Sequence, residues 1–293
     1  MRRILSMLTC ILSLLTTSAL AEVHMGQEPP ADWAERPLLR VTILQTGRSD
    51  AILVECGGEA MMIDGGDASW GAAVHRDLQK RGLTQFRYFL NTHPHNDHVE
   101  GLIYLMQQGV LPERFMSPFA ADWHDGSYHD TAVKTAWDKG VRFRMVKHGD
   151  VYALGEAEVR IWRVTEDTDM NSRSAVQMIT FGECRILLAA DLTGNAQKAL
   201  LKALESGSLA ADILKAPHHG ENAMVGDFLT AVDPALLLCT SGAEEAPALQ
   251  RQADSRGLPV LYSGEGEIVL ETDGTDWYVW QREKTGRDRG LEE

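Results

Sequence analysis

The chain has 293 residues, and its 42 acidic side chains outnumber 28 basic ones, which gives a formal net charge of −14 at neutral pH. This acidic balance excludes the general attraction for polyanions that nucleic-acid-coating proteins need, so no stable complex with nucleic acid is expected. The length allows one large domain or two small ones, and the four cysteines show no spacing typical of a disulfide framework or a thiolate metal site.

The first 21 residues have the pattern of a cleaved signal peptide. Arg2 and Arg3 precede an apolar stretch that ends in Ala-Leu-Ala at 19–21, the order of a charged region, an apolar region and a cleavage site. The apolar run is short and interrupted by Ser and Thr, which disfavours a permanent membrane span. We therefore predict a periplasmic or secreted protein, cleaved after Ala21 and free of the membrane afterwards.

Three further segments follow this leader. Residues 22–37 are polar and contain prolines, so we interpret them as an N-terminal lead outside the core. Residues 38–282 contain the remaining apolar runs and are predicted to form one domain. Residues 283–293 form a short, charged tail that we expect to be frayed.

The first half of the domain begins with three short β-rich runs separated by Gly-containing turns, and the third run ends at Asp64-Gly65-Gly66. The stretch "WGAAVHRDLQKRG" has the apolar spacing of a helix and stops at Gly82. The strand "FRYFLNTH" then leads into a histidine-rich segment, and a helix is predicted over about 98–108.

The second half repeats the alternation of strands and helices. A polar, aromatic loop at 117–130 and a helix come first, followed by three β-like runs and a strand pair that ends at Asp191. The run "ADILKAPHHG", two more helices with their strands, and a closing hairpin complete the domain. This order predicts an α/β (α+β) fold, a four-layer αβ/βα sandwich with two mixed β-sheets and helices outside.

The stretch "HPHNDH" places three histidines and an aspartate within six positions, at His93, His95, Asp97 and His98. Neutral imidazole and carboxylate are natural ligands of divalent metal ions. His93 and His95 are two residues apart and can project to one side of an extended segment. Asp97 and His98 lie on the turn into the helix and can face a second position.

Two more candidates stand at the ends of apolar strands. Asp191 closes "LLAAD", and the His218-His219 pair belongs to "LKAPHHG". A carboxylate at a sheet rim can bridge two cations, as hydrolysis by two metal ions requires. Any one of these residues alone is more often structural, but their combination favours a metal site.

The stretch "THPHNDH" matches the H-x-H-x-D-H signature of the metallo-β-lactamase fold, and the resemblance covers about 38–280. Within that superfamily the chain is most similar to the C-terminal hydrolase domain of ComEC-type DNA-uptake proteins and its free-standing secreted relatives. The stretches that carry this resemblance are "LQTGRSDAILV", "MMIDGG", "NSRSAVQMITFGECRILLAAD" and "ADILKAPHHG".

The resemblance implies a site for two divalent metal ions, expected to be zinc, with manganese or iron as alternatives. His93, His95 and Asp191 would hold the first ion. The second would be held by Asp97, His98, Asp191 and one histidine of "PHHG". Which of these two histidines binds is open; our working assignment takes His218 as the ligand and His219, with Asp97, as catalytic.

Other positions receive supporting roles. Asn171, Ser172 and His219 could donate hydrogen bonds to substrate oxygens, although loop capping explains Asn171 and Ser172 equally well. Asp64 either fixes a ligand imidazole through its free N–H or holds the glycine turn that follows it.

The sequence also departs from the superfamily pattern. Most members carry a histidine where Met170-Asn171-Ser172 stands here. ComEC-like members have Asn as well, so the change fits the subgroup but leaves the first ion short of one imidazole. Weak occupancy of the first position is therefore an open alternative.

These observations predict an exported metal-dependent hydrolase that uses a metal-activated water on phosphoester or phosphodiester substrates. A β-lactamase or another amide or ester hydrolase on the same fold is the second hypothesis, and a non-catalytic metal-binding module is the third. The expected partner is a small-molecule or phosphoester substrate, and the oligomeric state stays open.

Overall fold

The computed structural model describes residues 21–124, 128–164 and 169–284. The predicted signal peptide, apart from Ala21, and most of the charged tail lie outside these residues. None of the described helices is long and apolar enough to cross a bilayer. The predicted helices and strands are otherwise found close to their expected positions.

Sixteen strands occur within the described residues. In chain order they are β1 (Val23–Met25), β2 (Leu39–Ile43), β3 (Ala51–Cys56), β4 (Glu59–Gly65), β5 (Gln85–Leu90), β6 (Leu111–Ser117), β7 (Arg142–Met145), β8 (Val151–Leu154), β9 (Ala157–Trp162), β10 (Val176–Phe181), β11 (Cys184–Leu188), β12 (Ile213–Lys215), β13 (Leu236–Cys239), β14 (Val260–Tyr262), β15 (Ile268–Thr272) and β16 (Trp277–Gln281).

Six α-helices of the described chain lie between these strands. They are α1 (Ala68–Lys80), α2 (Asn96–Gln107), α3 (His129–Asp138), α4 (Gly194–Ala203), α5 (Gly226–Val232) and α6 (Pro247–Arg256). α2 begins close to the predicted start, and His95 occupies its N-cap position in extended conformation, without a capping bond from its side chain.

The strands form two mixed sheets. The first has nine strands in the order β1-β16-β15-β2-β3-β4-β5-β6-β7, and the second has seven in the order β14-β13-β12-β11-β10-β9-β8. β4 to β7 run parallel in the first sheet, as do β11 to β14 in the second. Two sheets with helices outside confirm the predicted four-layer sandwich.

Alternating side chains divide the core into three layers. On β3, Ile52 and Val54 face the centre between the sheets, whereas Leu53 packs towards α1, α2 and α3. On β11, Ile186 joins the central layer and Leu187 packs towards the other three helices. Because successive side chains of a strand point to opposite faces, each apolar sheet has helices on one face and its partner sheet on the other.

The prediction of a lead outside the core was wrong for part of residues 22–37. Val23–Met25 pairs in parallel with β16 and extends the first sheet, and the buried Trp33 indole donates to Glu271 Oε2 at 3.2 Å. A strand of three residues leaves no recognisable alternation in the sequence. Its pairing follows from the free edge that β16 offers.

A close contact between two glycines fixes α2 against β4. A Cβ atom at Gly101 would lie 1.8 Å from the carbonyl oxygen of Gly65, and one at Gly65 would lie 2.4 Å from the Leu102 nitrogen. The Gly101 N–H donates to the Gly66 carbonyl at 2.9 Å. The first turn of α2 is thereby held beside the end of β4, which brings His98 next to Asp64.

We expect Gly101→Ala to lower the free energy of unfolding by about 1–3 kcal/mol or more, because the added methyl group forces α2 away from β4. The matched control is Gly194→Ala at the start of α4, where the new Cβ would lie 3.6 Å from Val225 and finds room. Thermal unfolding of both purified variants measures the difference. Equal melting temperatures would show that the close approach is not needed.

Candidate metal centre

The predicted site residues converge at the carboxyl ends of parallel strands from both sheets. Asp64 lies at the end of β4, and the segment 91–98 follows β5. In the second sheet, Asp191 follows β11 and the histidine pair follows β12. The two sheets pack through a shared core, and beside the site the Ala175 N–H donates to the Thr92 carbonyl at 3.0 Å.

One oxygen of Asp191 stands at the centre of this arrangement. Its Oδ2 atom lies 3.2 Å from His98 Nε2 and 3.5 Å from His219 Nε2. It also lies 3.7 Å from His93 Nε2 and 3.8 Å from His218 Nε2. Segments almost a hundred residues apart therefore place their imidazoles around one carboxylate.

The "HPHNDH" segment brings its polar side chains close together. His93 and His95 lie side by side, with 3.0 Å between His93 Nε2 and His95 Nδ1. Asp97 lies on the first turn of α2, and its Oδ2 atom is 3.3 Å from His219 Nε2. Three groups of donors close enough to hold an ion share His98, and His95 belongs to none of them. The partners of His98 are His93 with Asp191, Asp97 with His219, and Asp50 with Asp64.

The two histidines of "PHHG" differ in burial, and the difference favours the reverse of our working assignment. The His219 side chain is fully buried and adjoins Asp97 and Asp191, whereas the His218 side chain is 29% exposed. Both residues have a left-handed backbone, with φ angles of 52° and 51°. His219 is thus the histidine enclosed by the carboxylates, and His218 is the one that borders solvent.

Asp64 has the contacts expected of a residue that orients a ligand. Its Oδ2 atom lies 2.8 Å from His98 Nδ1, and Thr92 donates its N–H at 2.8 Å and its hydroxyl at 2.6 Å to the same carboxylate. Because Asp64 Oδ2 takes the Nδ1 side of the His98 ring, Nε2 is directed towards Asp191, where a metal ion could bind it.

The adjacent residues Asn171 and Ser172 have different surroundings in the structure. The Asn171 amide nitrogen lies 3.5 Å from His218 Nε2, at the opening of the site. Ser172 is buried, and its hydroxyl lies 2.6 Å from that of Thr193, the residue that caps α4. Ser172 therefore supports the loop, and its expected role in substrate binding is not favoured, because its hydroxyl is already engaged.

Sequence reasoning missed two buried charged residues beneath the histidines. Lys215, the last residue of β12, donates to the Asp50 carboxylate. Asp50 Oδ1 in turn lies 3.2 Å from His219 Nδ1. The signals were present in the sequence, since a lysine in the apolar run "ADILKAP" and an aspartate directly before the buried strand β3 are both unusual.

A further polar contact lies at the partly exposed side of the site. The carboxylate of Glu221 lies 3.5 Å from His218 Nε2 and also pairs with the Arg48 guanidinium. Arg48 and Glu221 are each nearly half exposed, so this pair borders solvent. The opening therefore has both cationic and anionic groups beside the exposed imidazole.

The charges of the site shift the pKa values of its members in opposite directions. Burial lowers the pKa of His93 well below its ordinary value, and the neighbouring His98 acts in the same sense. Burial alone would lower the pKa of His98 too, but the Asp191 and Asp64 carboxylates outweigh it and raise that pKa to about 10. Burial would raise the pKa of Asp97, but contact with His219 and the nearby His98 lowers it to about 2.

The residues present fit divalent metal ions. The buried atoms His219 Nε2 and Asp191 Oδ1 have no hydrogen-bond partner among the described residues, and such atoms are costly unless something binds them. Imidazole nitrogens mixed with carboxylate oxygens suit zinc, manganese or iron. The same carboxylates that stabilise a protonated His98 would stabilise a bound cation.

The chain is similar to known proteins over most of its length. The family model for the metallo-beta-lactamase superfamily matches residues 44–240. Competence protein ComA of Neisseria gonorrhoeae is 23% identical over 259 residues, which cover 83% of this chain and 35% of that protein. ComE operon protein 3 of Bacillus subtilis (strain 168) is 22% identical over 228 residues, 69% of this chain and 28% of that protein.

This chain spans about a third of the length of the curated relatives it matches. Among solved structures, the metallo-beta-lactamase fold protein YhfI from Bacillus subtilis has a TM-score of 0.51 at 12% identity, covering 77% of this chain and 96% of that one. The competence relatives agree with the resemblance to ComEC-type proteins. Since the family match includes the whole "HPHNDH" cluster, Asp191 and both histidines of "PHHG", the chain belongs to the metallo-beta-lactamase superfamily.

Proposed function

We propose that this protein is an exported metal-dependent hydrolase that cleaves phosphoester bonds, with small phosphodiesters as its substrate class. The observation that carries the proposal is the convergence on Asp191, whose Oδ2 atom lies 3.2–3.8 Å from nitrogens of four histidines. The resemblance to the hydrolase domain of ComEC-type proteins favours phosphoesters over β-lactams. The net charge of −14 favours small substrates over long nucleic acids.

We assign the ligands to two groups that share Asp191. His93 and His95 would hold the first ion, and residues of α2 and the "PHHG" turn would hold the second. The full proposed set is His93, His95, Asp97, His98, Asp191 and His219. Zinc is the proposed metal, and two bound divalent cations would polarise the scissile ester and lower the pKa of a nearby water molecule.

The chain's own polar groups would bind and orient the substrate. His218 and Asn171 lie together at the opening and can donate hydrogen bonds to phosphoryl oxygens as charge develops on them. The Asp97 side chain is 28% exposed and contacts His219, and its lowered pKa keeps the carboxylate ionised. Asp97 can therefore accept a hydrogen bond from the attacking nucleophile and orient it. This division leaves the buried imidazoles for the metal ions and the exposed one for substrate.

We expect purified protein loaded with zinc or manganese to hydrolyse bis-p-nitrophenyl phosphate and to lose that activity after chelation by EDTA. The release of p-nitrophenol measures turnover, and nitrocefin hydrolysis is followed in parallel. Turnover of nitrocefin alone would replace the phosphoesterase proposal with a β-lactam hydrolase. Metal binding without any turnover would indicate a binding module.

Variants provide the controls for this assay. His95→Ala and Asp191→Ala should abolish turnover, because each removes a proposed ligand, while circular dichroism verifies that the variants fold. His75→Ala, on α1 and outside the cluster, should keep wild-type activity. Activity retained in either ligand variant would contradict the assignment.

Metal content distinguishes the two histidines of "PHHG". We expect His219→Ala to bind one ion fewer per chain than the wild type, because the buried imidazole adjoins Asp97 and Asp191. His218→Ala should keep the metal content and raise KM instead. Elemental analysis by mass spectrometry measures the stoichiometry, and the opposite pattern would restore His218 as the ligand.

Export is proposed from the leader pattern in residues 1–21. We expect the protein recovered from the periplasm or medium of an expressing bacterium to begin at Glu22, because a signal peptidase would cut after the Ala-Leu-Ala sequence. Mass spectrometry of the intact chain measures this terminus. An Ala21→Arg variant should remain uncleaved, and a full-length chain confined to the cytoplasm would contradict export.

A further inference from the structure

A fully buried ion pair lies under the proposed metal centre. The Lys215 side chain is 0% exposed, and its ammonium group donates to Asp50, whose side chain is 2% exposed. Lys215 stands in the interior of the second sheet, between Leu188 of β11 and Leu238 of β13. Removing two charges from water is costly, and apolar residues of similar volume are often at least as stabilising. Stability alone therefore does not account for this pair.

The Asp50 carboxylate faces a ring nitrogen of His219. Its Oδ1 atom lies 3.2 Å from His219 Nδ1, and the Thr240 hydroxyl lies 3.0 Å from the same nitrogen. Because an ionised carboxylate can only accept, Nδ1 would carry the ring proton on the Asp50 side, and Nε2 would keep its lone pair for a metal ion. The Thr240 hydroxyl can accept from the same N–H. The arrangement parallels that of Asp64 behind His98, so both imidazoles have a buried carboxylate at their Nδ1 side.

The Lys215 ammonium group also lies near Asp191. It lies 4.0 Å from Asp191 Oδ1. It also donates to the Ala190 carbonyl at 3.1 Å, which in addition accepts the His218 N–H at 2.9 Å. Ala190 has a φ of 46°, a left-handed conformation that disfavours residues with a Cβ. Lys215 therefore restrains the strained turn that presents Asp191.

We propose that Asp50 and Lys215 form a positioning pair for the metal centre: Asp50 orients His219, and Lys215 fixes Asp191 while holding Asp50 in place. This inference rests on the proposed metal-dependent function, since it concerns the same ligands. Neither residue contacts a substrate position. The pair acts through His219 and Asp191, and its Lys215 member places a positive charge beside the Asp50 and Asp191 carboxylates without using a ligand position.

The test is the double variant Asp50→Asn with Lys215→Met, which removes both charges together. Either single variant leaves one buried charge unpaired and would be strongly destabilised, so the double variant is the informative one. Its metal-free form should unfold at a temperature close to that of the wild type. Its affinity for the more weakly held ion, measured by competition with a chromophoric chelator, should fall by about 10–100-fold, the usual effect of removing groups that orient ligands.

The matched control removes a different ion pair, that of Arg81 and Glu267 at 2.8 Å on the far end of α1. Arg81→Met with Glu267→Gln should leave metal affinity unchanged. The Co²⁺ absorption spectrum provides a second readout, because altered ligand orientation changes the d–d bands of the double variant but not those of the control.

The outcomes separate this inference from the proposed function. If the wild type binds metal and the Asp50–Lys215 double variant binds it equally well, the pair is only structural and the inference is overturned while the function stands. If the wild type binds no metal, both are overturned. Should the double variant fail to fold, nitrogen NMR of the zinc-loaded wild type decides: a His219 bound through Nδ1, with the proton on Nε2, would overturn the inference.

Discussion

The Asp191 carboxylate lies where the two halves of the sandwich meet, and the site depends on its position. His93 and His98 come from the first sheet, whereas His218 and His219 follow β12 of the second, and all four present a nitrogen within 3.8 Å of Asp191 Oδ2. Such groups are costly to bury unless they neutralise one another or bind an ion. The fold can bury them because each charge has a partner of opposite sign or an open donor position.

Backbone geometry at the strand ends makes this convergence possible. Asp64, Ala190 and the two histidines of "PHHG" all adopt left-handed conformations, with φ between 46° and 54°. Residues with a Cβ rarely adopt these angles, and the strain is concentrated at positions that carry or adjoin proposed ligands. The glycine contact between β4 and α2 has the same effect, because only residues without side chains let the helix reach the end of the strand.

The polar groups of the site range from fully buried to partly exposed. At its base, buried carboxylates stand behind His98 and His219, and Lys215 compensates part of their charge. Above them lie the proposed ligands, and at the opening His218 adjoins Glu221 and Asn171. Rigid, buried groups suit metal binding, which requires fixed geometry, whereas partly exposed donors suit a substrate that must enter and leave. This order fits the proposed hydrolytic function.

The sequence by itself determined the sandwich fold and most of the cluster, because strand alternation and the "HPHNDH" spacing are local patterns with one physical interpretation. Only the tertiary structure decided which of two adjacent histidines is buried, because that depends on Asp97, Asp191 and other distant residues. For the same reason, the sequence did not predict the short strand β1 or the hydrogen-bonded hydroxyl of Ser172. Nor did it predict the pairing of Asp50 with Lys215, 165 residues apart. Burial and distance between remote segments arise from packing, which leaves no periodic pattern in the chain.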